Sequence, residues 1–552
     1  MKRLYYVLCF LSVNVCAQKV VTVTNGVVVS AQALASQAGL DILKKGGNAV
    51  DAAITTELTL AVVFPGAGNI GGGGFMVARL ADGRTLAIDF REEAPGKASR
   101  DMYIDSAGKA RTDWSQTGHL ACGIPGTVSG MFAAHKYGKL PFKDLIQPAI
   151  DLAENGFALS ESEASNLNRT RETFLRNNTG PIAFIRDRPW KAGDTLVQKD
   201  LAATLRRIRD RGAKGFYEGE TAAYIVDEMR RGGGLISLDD LKAYRAKERP
   251  ILSFPYHGCT VLTMPMPSSG GVLIGQMLKM VEGNPALAGG YASPAADQLM
   301  IEAERRAFAD RATYMGDPDF VKVPVATLLS ASYLQHRMAD FTPGKAGSSQ
   351  TVQAGSIPAE STETTHFDVI DKDGNAVAVT TTLNGWYGSK TVAGKAGFLL
   401  NDEMDDFSVK PGVPNMFGAV GGTANAIAPY KRMLSSMTPT IVLRDGKPFL
   451  IAGTPGGTTI PTSVYQTLVD VIDFHLSPQQ AVDVPKFHHQ WLPDEVDLER
   501  GFPDSTAAAL EKMGYTLKHW GGIGATEVIM VGPDGKYTGV ADRRGNDAAA
   551  GY

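Results

Sequence analysis

Two thirds of the way along this 552-residue chain, Ser361-Thr362-Glu363-Thr364-Thr365-His366 contains residues from which nucleophilic chemistry can be built. A threonine hydroxyl holds its proton tightly and needs a base within hydrogen-bond reach. One solution places the threonine at a chain terminus, where its own α-amine is that base. Such an amine has an unperturbed pKa of roughly 7.7–8.0 and is partly neutral near physiological pH. An internal threonine has no such amine, so the chain must first be cut before Thr364. The same hydroxyl can do this by attacking the Glu363 carbonyl. In local composition alone, Thr362, Thr364 and Thr365 are equally ordinary strand-entry residues, and the surroundings have to decide.

Arg91 stands where a predicted strand, 86–90, leaves its sheet, and arginine can grip a carboxylate through two parallel hydrogen bonds. A surface salt bridge is its alternative. Asp405 and Asp406 could cap a helix, Ser435 and Ser436 could be turn residues, and Asn384-Gly385 is a good turn by itself. The run Gly66 to Gly74 contains a formal GxGxxG, but Phe75 to Leu80 follows as a strand rather than a helix. Without a Lys-Ser/Thr pair it is not a phosphate loop either. Glycines feeding a strand point instead to close packing of backbone on backbone. Ser268 and Ser269 lack the G-x-S-x-G elbow of a hydrolase nucleophile.

Around these residues, apolar spacing predicts helices over 30–45, 143–155, 199–211, 221–231, 294–314, 460–474 and 505–513, and a mostly helical stretch from 141 to 338. Prolines and glycines make 265–271 a loop. Residues 344–361, rich in Gly, Ser, Thr and Pro, read as a flexible tether before the cut. Strands are predicted at 75–80, 86–90, 393–400, 440–443, 449–452, 528–531 and 539–541. A hairpin over 367–383 turns at Asp371-Lys372-Asp373-Gly374-Asn375. This texture predicts α+β sheets packed face to face with helices outside.

Hydrophobic content of 44% and charge of 20% are those of a globular enzyme. A net charge of −3 with no basic run argues against a nucleic-acid partner. Residues 1–17 read as a secretory signal: Lys2 and Arg3, an apolar core from Leu4 to Val13, and a small-residue site at Val15-Cys16-Ala17. Cys16 as a lipid-modified residue fits poorly. No other stretch is apolar enough to span a membrane, and the expected location is periplasmic or secreted. Cys122 and Cys259 either pair once or are two buried thiols. No metal spacing is present, and no metal or organic cofactor is implied.

Taken in order, the motifs resemble those of the γ-glutamyltransferases, a family of N-terminal nucleophile hydrolases. The resemblance runs from about Asn25 to Tyr552. It rests on Gly47-Asn48-Ala49-Val50-Asp51-Ala52-Ala53, the segment Ala67 to Met76, Asp89-Phe90-Arg91-Glu92 and Thr364-Thr365-His366. Met404-Asp405-Asp406-Phe407, Leu434-Ser435-Ser436-Met437 and Pro455-Gly456-Gly457 continue it. It implies a four-layer αββα sandwich and self-cleavage into a large piece, 18–363, and a small piece, 364–552, that stay together as a heterodimer.

The resemblance also implies roles. Thr364 is the nucleophile, Thr382 hydrogen-bonds it, and the Gly456 and Gly457 N–H groups face the oxyanion. Arg91, Ser435 and Ser436 take the α-carboxylate of a γ-glutamyl head. Asp406, with Glu403 and Asn384, takes its ammonium. Glutathione and related amides are the implied donors, with water, amino acids or peptides as acceptors. An acylase for glutaryl or poly-γ-glutamyl substrates is an alternative, which the ammonium-binding set disfavours for glutaryl. A non-catalytic γ-glutamyl-binding member is another, opposed by the intact nucleophile set. One departure concerns the lid loop, 411–422. Many bacterial members place a tyrosine where this chain has Phe417, which predicts a lid without a hydroxyl latch. His488-His489 also matches the family and is read as structural.

Overall fold

The protein is described by a computed structural model covering residues 18–354, 365–410, 412–418, 420 and 422–552. Thr364, Glu363 and the expected signal segment 1–17 lie outside the described residues. Two antiparallel seven-stranded sheets form the centre. The first runs Ala548–Gly551, Gly26–Ser30, Thr365–Asp371, Ala376–Thr382, Gly73–Arg79, Thr85–Asp89, Lys247–Arg249. The second runs Val20–Val23, Tyr537–Val540, Glu527–Val531, Lys447–Gly453, Thr440–Arg444, Cys259–Thr263, Leu252–Tyr256.

Side-chain alternation along each strand sorts residues between layers. Val27 and Val29 enter the core between the sheets with Ile441, Ile451 and Ile529, while Val28 packs outward under helices. The outer layer on the first sheet includes the helices Ala33–Lys44, Ala49–Val63, Phe142–Asn155 and Lys199–Arg211. On the second sheet it includes Gly270–Val281, Pro294–Tyr314 and Thr459–Ile472. This is the αββα sandwich.

The helix Ala49–Val63 is buried all round, so its start must be fixed by polar caps. Asn48 and Asp51 form a reciprocal capping box, and the Ala49 N–H donates to Asp371 Oδ2 at 2.8 Å. A carboxylate at a helix N-terminus is electrostatically favourable, and Asp371 ends a central strand, so helix and sheet are held in register.

Four expectations are corrected or completed. Residues 393–400 form no strand; a short 3-10 turn, Gly394–Ala396, sits between Val392 and Leu399, which make one isolated bridge. The stretch 141–338 contains the hairpin Leu252–Tyr256 and Cys259–Thr263. The loop at 265–271 ends early, because Gly270 and Gly271 already begin the helix Gly270–Val281. A Cβ on Gly271 would lie 2.3 Å from the Met264 carbonyl oxygen, so close packing, not chain breaking, explains the glycine.

The fourth correction concerns the tether. Its described part, 344–354, is pinned. Gly347 N–H donates to Glu302 at 3.0 Å, Ser349 N–H to Asp494 at 2.8 Å, and the Trp491 indole to the Val352 carbonyl at 2.8 Å. Buried Arg305 holds both Ser349 and Asp494. Cys122 and Cys259 are both buried free thiols, which settles that alternative. Among the described residues no helix is long and apolar enough to cross a membrane.

Candidate active site

The site forms where strands of the two sheets end together. In the central hairpin, Thr365 pairs with Thr381 and His366 with Thr380. Phe367, Val369, Val377 and Val379 point to the helix layer, so His366, Asp368, Thr380 and Thr382 share the face between the sheets. His366 is fully buried, with Nδ1 2.9 Å from Thr380 Oγ1 and Nε2 2.8 Å from Asp368 Oδ1. Opposite it the second sheet presents Gly453, where a Cβ would lie 2.2 Å from the imidazole.

Close approach of backbone explains the glycine run. A Cβ on Gly72 would lie 2.0 Å from the Thr382 carbonyl oxygen. Asn69 donates to that same carbonyl at 2.7 Å and to Thr381 Oγ1 at 3.0 Å. The end of the hairpin strand is therefore held from both main chain and side chain. Thr382 Oγ1 in turn accepts from the Asn384 N–H at 2.7 Å.

Arg91 is buried at the end of Thr85–Asp89. Its guanidinium donates to Glu403 and to Asp406, and to the carbonyls of Met433 at 3.2 Å and Leu434 at 3.1 Å. Glu92 lies 3.6 Å away. Burial alone would lower the Arg91 pKa, but the carboxylates of Glu403, Asp406 and Glu92 hold it above the ordinary arginine value. Burial pushes Glu403 up, opposed by Arg91, and pushes Glu92 well up, assisted by Glu403. The cluster thus sets one guanidinium among three carboxyls.

Ser435 and Ser436 follow the carbonyls that Arg91 contacts, and both are buried. Ser436 Oγ accepts from Arg311 at 2.8 Å, and Arg311 also donates to Ser269 Oγ at 2.9 Å. Ser269 donates to the Ser435 carbonyl at 2.6 Å, and Ser268 to the Met437 carbonyl at 2.5 Å. Asn425 links the two halves, donating to the Asp406 carbonyl at 2.6 Å and accepting from Leu434 N–H at 3.1 Å. Sequence reasoning missed Ser268, Ser269, Arg311 and Asn425 as braces; the Ser-Ser pair was noticed only as a nucleophile to be rejected.

Gly456 and Gly457 connect the strand Lys447–Gly453 to the helix Thr459–Ile472. Their φ values are 134° and 64°, conformations that favour glycine. Among the described residues neither N–H has an acceptor. A helix N-terminus adds positive potential at that point.

Asn384 has φ 75° and donates to the Asp402 carbonyl at 3.0 Å. Phe417, in the expected lid loop, is half-buried; its N–H donates to Asn415 at 3.0 Å and its carbonyl accepts from Gln490 at 3.4 Å. His488 contacts Thr462 and Gln490, and the His489 N–H donates to Glu304. Burial pushes both histidines down to about 4, so they are neutral packing residues. Arg91, Glu403, Asp406 and the 433–436 segment thus form one cluster. Thr382 and Asn384 form a second, joined to the first through Asp402 and Glu403.

A family model described as gamma-glutamyltranspeptidase matches residues 35–552. The glutathione hydrolase proenzyme of Escherichia coli (strain K12) is 49% identical over 533 residues, 96% of this chain and 92% of the relative. The solved cephalosporin acylase from Bacillus halodurans superposes with a TM-score of 0.86 at 26% identity, covering 97% of each chain. The solved Helicobacter pylori gamma-glutamyltranspeptidase superposes with a TM-score of 0.57 at 44% identity, covering 58% of this chain and 93% of that one.

Proposed function

The chain belongs to the gamma-glutamyltranspeptidase family and is an enzyme, a γ-glutamyltransferase and glutathione hydrolase, and from that premise we propose how its residues do the chemistry. The observation that carries the proposal is the buried cluster of Arg91, Glu403 and Asp406. An α-amino acid head inserts into this cluster without unbalancing it. Its carboxylate takes the Arg91 donors, with Ser435 and Ser436 adding hydroxyls. Its ammonium takes Asp406 and Glu403, beside Asn384. A glutaryl head would bring the carboxylate but no cation, leaving buried carboxylates uncompensated.

Thr364 is the proposed nucleophile. Thr365, the next residue, begins the hairpin strand and pairs with Thr381, the neighbour of Thr382. The Thr364 Oγ attacks the γ-amide carbon while its α-amine takes the proton. The oxyanion is held by Gly456 and Gly457 N–H groups. The C–N bond breaks, the proton passes to the leaving amine, and a γ-glutamyl-threonine ester remains. Water or an acceptor amine then attacks the ester, the C–O bond breaks, and the hydroxyl regains its proton.

Cleavage before Thr364 would leave pieces 18–363 and 364–552 associated. The first sheet supports this, since Gly26–Ser30 from the large piece lies between Ala548–Gly551 and Thr365–Asp371 from the small one. Amino acids and peptides are the proposed acceptors, and export through 1–17 to the periplasm or medium is the proposed fate. The solved cephalosporin acylase favours a second reading, acylase activity. Comparing a γ-glutamyl anilide with a glutaryl anilide decides between them. A kcat/KM preference for glutamyl of ~100-fold is expected from one unpaired buried charge; equal rates, or preference for glutaryl, would refute the proposal.

A further inference from the structure

Beyond Asn384 the chain turns through a loop that none of the roles above uses. Tyr387 has φ 65° and Lys390 φ 61°, so the loop holds two further side chains in left-handed backbone. Such conformations persist only where the surroundings fix them, and they collect at functional positions. Here the fixing groups are clear. The Tyr387 N–H donates to the Gly66 carbonyl at 2.8 Å, and Asn178 donates to the Lys390 carbonyl at 2.9 Å.

The result is an unusual lysine. Its side chain is only 16% exposed, and its closest carboxylate oxygen, Asp402 Oδ2, is 3.7 Å away. Among the described residues Lys390 Nζ donates no hydrogen bond, and Asp402 Oδ2 accepts none. The other Asp402 oxygen accepts from the Gly385 N–H at 2.9 Å. Burial pushes Asp402 up to about 7 while Lys390 opposes that, so the carboxyl is partly neutral near pH 7 and offsets the ammonium incompletely. A carboxylate on a bound partner would give this ammonium a charge-assisted hydrogen bond that it lacks among the described residues.

Gly385 lies close against this ammonium, with no side chain between them. A Cβ there would lie 2.9 Å from Asp402 Oδ2, 3.1 Å from Met416 Cε and 3.4 Å from Lys390 Nζ. Met416 is 37% exposed and its sulfur accepts from Asn384 Nδ2 at 3.6 Å. Trp386, the next residue, is 39% exposed and stands edge-on against Phe64 with ring centres 5.3 Å apart. Large apolar side chains at the rim and one cation beside a bare glycine therefore meet next to Asn384, at the ammonium end of the proposed donor site.

We propose that Lys390, Gly385, Trp386 and Met416 form the subsite for the amine partner of the reaction. The subsite takes an amino acid or short peptide through its free carboxylate on Lys390, with apolar side chains of that partner against Trp386 and Met416. This rests on the reading of the protein as a γ-glutamyltransferase.

The test measures transfer from a γ-glutamyl anilide to glycylglycine and to glycylglycinamide in the parent, Lys390→Gln and Lys390→Arg. The parent should prefer glycylglycine by ~10-fold in kcat/KM, the size of one exposed-to-buried ion pair. Lys390→Gln should bring that ratio close to one by raising KM for glycylglycine, and Lys390→Arg should retain it. Trp386→Ala should separately reduce the preference for phenylalanylglycine over glycylglycine. An active enzyme in which Lys390→Gln keeps the parent ratio, or a parent with no preference, overturns the subsite alone. An enzyme that releases no aniline from any γ-glutamyl donor overturns the subsite together with the function it rests on.

Discussion

Arg91 and Asp406 are both completely buried and are hydrogen-bonded through the guanidinium Nη2. In the described structure each partner thus holds the group that the substrate's opposite end would bring. In the proposed binding mode the substrate exchanges this internal ion pair for two of its own, which keeps the desolvated charges compensated throughout. Removing one partner of a buried pair is therefore far more damaging than its net worth suggests.

Arg91→Lys tests this. Lysine keeps the charge but loses the fork that reaches Glu403 and Asp406 together. The expected loss in kcat/KM for a γ-glutamyl anilide is ~100-fold, or about 3 kcal/mol, from one to two charge-assisted hydrogen bonds. Parent-like kinetics would mean that the head group binds elsewhere.

Gly456→Ala tests the oxyanion assignment. At φ 134° any side chain is strained, and the new Cβ would meet Thr459 Oγ1 at 2.4 Å. Displacing one donor from an oxyanion hole costs ~2.7–4 kcal/mol of barrier. The variant should lose kcat by ~100-fold or more, with KM much less affected. A loss confined to KM would place these glycines in ground-state binding instead.

Glu57 gives a pH signature remote from the substrate. It is fully buried and accepts from Thr381 Oγ1 at 3.1 Å. Burial pushes its pKa up to about 8, partly opposed by that hydroxyl. The folded state then binds the proton more tightly than the unfolded chain. The stability this gives is fully present below about pH 4.5, the ordinary carboxyl range, and is lost as pH rises through about 8. Glu57→Gln stays neutral, so its stability relative to the parent should rise by about 1.4 kcal/mol per pH unit across that window. Urea midpoints at several pH values give the slope; parallel curves for the two proteins would contradict it.

Phe417→Tyr addresses the lid. A restored hydroxyl should slow backbone hydrogen exchange in 412–418 relative to the parent, and unchanged exchange would show that the hydroxyl adds no latch.

Much of this architecture was legible from the sequence where periodicity was strong. The helices 199–211 and 294–314 keep their predicted bounds: Gly212 stops the first and Pro294 opens the second. The 393–400 segment failed because its apolar residues are buried in an irregular loop, with Gly397 in the left-handed region packed on Asp200. The hairpin at 252–263 was hidden by its turn: His257 and Gly258 both have positive φ, but His-Gly is a weak turn signal. The tether misled for another reason. Its composition is that of a flexible segment, yet its described part, 344–354, is ordered by Glu302, Arg305, Asp494 and Trp491, distant in sequence. Distance in sequence also explains the site. Arg91, Glu403, Asp406, Ser435 and Ser436 were found through motif resemblance, whereas the braces Ser268, Ser269, Arg311 and Asn425 act through pairings that no local pattern encodes.

The central claim is that Thr364 becomes the chain-terminal nucleophile. The direct measurement is the denatured intact mass of purified protein beside a Thr364→Ala variant. The account predicts two pieces in the parent, the smaller beginning at Thr364, and one uncut chain in the variant. A single uncut parent chain would mean that the amine base never forms, and the mechanism proposed for this site would be wrong.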